Sequence, residues 1–147
     1  MSYQDKLVIE INAYLDRLME REQPLQASWI AHRICSDHEL GLAANEDRDF
    51  WRHGGYTTTR EAVRKCINKR AGDEVERDAS QYLLPGFDHL HSYYMVSREG
   101  SDIGVWIYDM SEDEIEAKSE KYRKMGAACY AHADELDRFQ RMRREQA

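Results

Sequence analysis

Three groups of side chains in this sequence have the types and spacing to do chemistry. The first is TTTREAVRKCINKR, residues 57–70, which gathers five cations around a single carboxylate. On a helix, Arg60 and Arg64 stand one turn apart. Lys65 and Asn68 extend the same polar side. Such a set would reach guanine edges or phosphates in a DNA groove, with Thr57, Thr58 and Thr59 donating to phosphates at the helix start. The expected contact residues are Thr58, Thr59, Arg60, Arg64, Lys65 and Asn68. A plainer account also covers the pattern: an amphipathic helix with a solvated basic face. Lys69 and Arg70 then sit in the last turn, where cations suit the helix dipole.

The second group has metal-ligand spacing. His32-x-x-Cys35-x-x-His38 and Cys129-x-x-His132 are i, i+3 sets, and two such sets on facing helices would hold zinc tetrahedrally. Trp29, Ile30 and Ile34 surround the first set, however, and Cys129 falls on an apolar seam. Core cysteines beside satisfied histidines are the expectation, with no metal and no other cofactor. The third group is His89 and His91 in FDHLHSYY. Alternation places both on one strand face with no nucleophile beside them. No phosphate-binding glycine loop, G-x-S-x-G or H-E-x-x-H occurs. An enzyme is not expected.

The elements that must carry these residues follow from periodicity. Residues 5–21 place Leu7, Ile11, Tyr14, Leu15 and Leu18 on one helical stripe, which Pro24 ends. Residues 26–38 repeat the pattern through Trp29, Ile30, Ile34 and Cys35. GLAAN reads as a loop. A short helix capped by Asn45 runs through EDRDFWRH to Gly54 and Gly55. Thr58 and Glu61 have capping-box spacing, and Ala62, Val63, Cys66 and Ile67 share the buried side of the next helix. Residues 71–80 are polar and linker-like.

LLPGF, residues 83–87, forms a tight turn that pins the adjoining hairpin by an apolar contact. HSYYMVS (91–97) and IGVWIYDM (103–110), joined by REGSD, read as that β-hairpin. Ser111 and Glu114 repeat the capping-box spacing and start a helix that reaches residue 144. Carboxylates crowd its beginning and arginines its end. Ile115, Tyr122, Cys129 and Leu136 recur every seventh residue, with Met125 and Phe139 between them, so this helix packs either on its own core or across a homodimer. Lys118 and His132 interrupt the seam. Gly126-Ala127-Ala128 would let a neighbour approach closely.

The chain has 147 residues, 41% of them hydrophobic and 33% charged, with a net charge of −7. These values fit a globular protein of one compact unit. Three cysteines, an odd number without C-x-x-C, argue against a disulfide framework and for a reducing compartment. No apolar run approaches a membrane span, and MSYQDKLVIEI lacks the pattern of a secretion signal. A cytoplasmic location without membrane contact is expected. An acidic chain disfavours non-specific DNA binding, but screening over about 10 Å leaves a local basic face effective.

The fold class is therefore α+β, mainly α. A winged-helix-like helical region spans 1–80, the LPGF turn and β-hairpin span 81–110, and a long C-terminal helix spans 111–147. In a winged helix the last core helix enters the major groove, which assigns that place to residues 58–70. Two features depart from the pattern: a long connection ahead of that helix, and a hairpin with Arg98 as its one basic residue.

Three segments, DFWRHGGYTTTREAVRKCINKR, LLPGFDHLHSYYMVSREG and YRKMGAACYAHADELDRF, together resemble small uncharacterised proteins encoded by bacteriophages and prophages of proteobacteria. The resemblance spans about residues 25–140. It implies a phage setting and transfers no activity or site residue. The expected function is a non-enzymatic, phage-type regulator that binds double-stranded DNA through the basic helix. The alternative is a module that modulates a host or phage protein through its acidic stretch 109–120 and the aromatic residues Tyr93, Tyr94, Trp106 and Tyr108.

Overall fold

The computed structural model describes residues 3–37, 54–71 and 83–146. The short helix expected after Asn45, residue His38, most of the 71–80 linker and most of the long connection lie outside them.

The first helix, α1 (Tyr3–Glu20), buries Leu7, Ile11 and Leu15 on the expected stripe. Its chain reverses through Glu22, whose φ of 57° is left-handed. Pro24 comes next. A two-residue strand, β1 (Leu25–Gln26), comes directly before α2 (Ala27–Asp37). The third helix, α3 (Tyr56–Asn68), turns Val63, Cys66 and Ile67 inward. Strands β2 (Tyr93–Arg98) and β3 (Ser101–Trp106) form the hairpin. Its two-residue turn has φ of 53° at Glu99 and 79° at Gly100, the paired positive values of a type I′ turn.

The strand order is β1-β3-β2, all antiparallel, with Leu25 opposite Gly104 and Met95 opposite Gly104 on the other side. Among the described residues, three helices, a short first strand paired to the last, and a hairpin are ordered as in a winged helix. Gly104 sits where the layers touch. A Cβ there would lie 3.0 Å from Leu25 Cβ and 3.3 Å from Ile67 Cγ2. The missing side chain lets β1 and α3 close on the central strand.

Alternation along the hairpin splits the interior in two. Tyr93 joins the core of α1, α2 and α3, with Met95 and Trp106 at its margin. Tyr94, Val96, Val105 and Ile107 join a second core with residues 110–139. The sheet is thus covered on both faces.

That second cover is a helical hairpin. Helix α4 (Glu112–Lys124) opens with the expected capping box: Ser111 Oγ accepts from Glu114 N–H while Glu114 accepts from Ser111 N–H. The long C-terminal helix is α5 (Tyr130–Gln146). The single helix expected across 111–144 is divided at Gly126, whose φ of 115° no helix allows. Ile115, Tyr122, Leu136 and Phe139 then meet each other within the protein's own core. Of the two packings left open by the seven-residue repeat, the internal one accounts for this seam.

The charge asymmetry changes meaning with the fold. Because α4 and α5 run antiparallel, the acidic start of one lies beside the basic end of the other. Arg144 Nε donates to Glu112 at 2.9 Å, and Arg143 to the Met110 carbonyl at 2.7 Å. At the other end Arg123 reaches Asp134 and Asp137. The LLPGF turn is present, with Leu84 N–H donating to the Leu90 carbonyl at 2.7 Å. Its Phe87 packs against Phe139, which pins α5 to the strand approach.

Candidate nucleic-acid interface

Helix α3 is held from three directions, and these contacts fix which side it presents. Its apolar side packs on α2. At its start, Tyr56 Oη donates to the Ser28 carbonyl at 3.4 Å. At its end, Arg70 is buried, with its side chain 5% exposed. Its guanidinium donates to Asp16 and, at 2.9 Å, to Asn12 Oδ1 of α1. Arg70 therefore anchors the helix instead of facing water at a helix terminus.

The start of α3 differs from the capping-box expectation. Gly55, not Thr58, is the residue ahead of the helix, and no side chain caps it. Thr58 and Glu61 lie inside the helix. Gly55 has φ of 34°, so the chain enters through a conformation suited to glycine. Thr59 is fully buried. Its hydroxyl donates to the Gly55 carbonyl at 2.9 Å and receives the Cys35 thiol at 3.7 Å. It is withdrawn from any surface contact, because its place on the helix falls on the side of Val63 and Cys66.

The remaining expected residues share the outer side. Arg60, Arg64 and Asn68 line one wall of a groove of about 300 Å³. The opposite wall is the hairpin turn, Gly100 to Asp102, and Gln26 to Ser28 close one end. Lys65 is exposed beyond the rim and Thr58 is half-buried. Arg60 lies over the Tyr56 ring at 5.9 Å, and its Nε is buried with no hydrogen-bond partner among the described residues. Arg64 meets Glu61 at 3.3 Å, but both side chains are about half exposed, at 53% and 50%. An i, i+3 pair this open contributes a few tenths of a kcal/mol and yields readily to a phosphate. Neither arginine is covered by the helical hairpin, which lies against the other face of the sheet.

The wing supplies no comparable cation. Arg98 donates to both oxygens of Glu114, at 3.1 and 2.8 Å, and to the Asp109 carbonyl. The Arg98 hydrogen bond holds the Glu114 carboxyl down at about 2. Glu99 and Asp102 make the turn acidic.

The two zinc-type sets do not meet. Cys35 belongs to the α1–α3 core and Cys129 to the core beyond the sheet. Burial pushes the Cys35 thiol upward. Among the described residues no three donor side chains converge. His89 is exposed and His91 buried, and both precede strand β2 instead of lying on it.

His132 has a different role, which its heptad position concealed. Its Nε2 lies 2.7 Å from Tyr94 Oη and its ring stacks on Tyr122 at 3.8 Å. Burial, then the nearby His91 and His89, lowers its pKa to about 3. The unfolded chain takes up a proton near 6.5 while the folded chain does not. Stability is therefore full above that value and falls as pH drops toward 3. Between pH 7 and 5 the loss should be about 1–2 kcal/mol. Urea melts at both pH values check this, and His132→Phe should flatten the difference. Glu114 acts in a separate, more acidic window, between about 4.5 and about 2.

The aromatic surface expected of an interaction module is largely internal. Tyr93 and Tyr94 are 1% and 0% exposed, while Trp106 is half-buried and Tyr108 exposed. Among the described residues no helix is long and apolar enough to cross a membrane. Compared with known proteins, the chain matches no family model, no curated protein and no solved structure.

Proposed function

We propose that this protein is a non-enzymatic regulator that binds double-stranded DNA through α3, with Arg60, Arg64, Lys65 and Asn68 as the contact side and a phage setting as its context. One observation carries the reading. The cations of α3 stand on its outer side, beside the wing, and among the described residues the core of α1 and α2 and the helical hairpin lie on other sides. In a winged helix that side of the last core helix is the one that enters the major groove. Arg60 and Arg64 offer the fork geometry that reads guanine O6 and N7 or grips a phosphate.

The acidic wing and the sequestered Arg98 leave the helix to act almost alone. Binding should therefore be modest and strongly electrostatic. With about three phosphate-neutralising cations, the logarithm of affinity should fall with the logarithm of salt at a slope of about −3. Fluorescence anisotropy of a labelled duplex across a potassium chloride series measures it. A slope near zero would exclude the phosphate contacts on which the reading depends.

A further inference from the structure

Among the described residues, the sheet has an edge that no further strand covers beyond the Leu83–His91 bridge. Strand β2 is outermost in the order β1-β3-β2. Its phase is set where Ile107 N–H donates to the Ser92 carbonyl at 2.8 Å. Alternation then turns the backbones of Tyr94, Val96 and Arg98 toward β3, and those of Met95 and Ser97 away from it. Among the described residues, nothing hydrogen-bonds to the outward N–H and C=O groups of Met95 and Ser97. Proteins usually blunt such an edge with proline, lysine or a bulge. This strand, YYMVSR, has no proline and no lysine, and its register is unbroken to the turn.

A groove of about 570 Å³ runs along the same edge. Met95 and Val96 lie on the strand side, Asn68 comes from α3, and Asp113, Ala117 and Lys118 come from α4. Glu114 also lines it, but Arg98 holds both of its oxygens, so Asp102 and Asp113 beside Lys118 leave the groove with a slight excess of negative charge.

We propose that this edge takes an extended, basic peptide segment of a partner protein as a fourth strand, paired to β2 through Met95 and Ser97. Backbone pairing supplies the affinity and the acidic rim selects the side chains, as in other strand-addition sites. A second copy fits less well, because its own β2 would bring the same carboxylates to face these. The two grooves share Asn68, Met95 and Asp102, but the strand pairing uses neither Arg60 nor Arg64, so the two readings fail separately.

The probe is a short fluorescent peptide alternating lysine and valine, titrated by anisotropy against the full chain. It should bind. The same peptide with N-methylated valines, and one with glutamate in place of lysine, should each bind at least about tenfold more weakly. Ser97→Pro deletes only an outward N–H, so it should weaken peptide binding by about tenfold while leaving the melt and the DNA affinity in place. Amide exchange at Met95 and Ser97 should be fast in the free protein and slowed by the peptide. No peptide binding, equal binding of the N-methylated form, indifference to Ser97→Pro, or amides already protected in the free protein would each overturn the proposal. A dimer abolished by Ser97→Pro would assign the edge to a second copy and overturn it too.

Discussion

Gly104→Val should lower stability by about 3 kcal/mol, the largest loss expected from any single change near the site. A Cβ at this position would lie 3.0 Å from Leu25 Cβ and 3.3 Å from Ile67 Cγ2, tighter than almost all side-chain contacts, and the two further methyls of valine would press closer still. Leu25 and Ile67 are themselves fully or almost fully buried, so neither can swing into solvent. The strain must be relieved by moving β1 or α3 off the sheet. Gly104→Ala should cost less, about 1–2 kcal/mol, because one methyl needs a shift of only tenths of an ångström. Urea denaturation of the three proteins orders them. The variants should also weaken DNA binding where they stay folded, since α3 is displaced relative to the wing.

Arg70→Ala should cost about 2–3 kcal/mol. The guanidinium is 5% exposed and joins α3 to Asp16 and Asn12 of α1. Its loss removes charge-assisted hydrogen bonds and leaves a void beside Met19, whose sulfur lies 3.4 Å away. Asp16, 62% exposed, regains water and keeps the penalty below that of an orphaned buried charge. Arg70→Lys should recover only part of the loss, because one ammonium cannot span both acceptors. Thermal or urea melts read this. An Arg70→Ala protein as stable as wild type would mean that α3 is not anchored through α1.

Much of this architecture was legible in the sequence, for identifiable reasons. The stripe Leu7, Ile11, Leu15 and the box Ser111 to Glu114 are short-range signals, and both appear as read. The hairpin followed from β-branched and aromatic residues flanking a glycine turn. Strand β1 was not legible. Two residues carry no period, and Leu25 earns its place by pairing with Gly104, nearly eighty positions away.

The break at Gly126 was hidden by the seven-residue repeat, which two antiparallel helices satisfy as well as one long helix does. Gly126 itself was the available signal, read as a packing patch where it is a hinge. At the site, the outward placement of Arg60, Arg64 and Lys65 followed from helical spacing. The burial of Thr59 and Arg70 did not, because each depends on tertiary partners, Cys35 in one case and Asp16 and Asn12 in the other.

The central claim is that the outer side of α3 grips duplex DNA, and one comparison tests it most directly. Wild type and the Arg60→Ala/Arg64→Ala double variant are titrated onto the same random-sequence duplex at low salt, beside their circular-dichroism melts. The account predicts retardation by wild type and a roughly ten- to hundredfold loss in the double variant, with melts that nearly coincide. Wild type that leaves the duplex unshifted, or a double variant that binds as tightly, would contradict it.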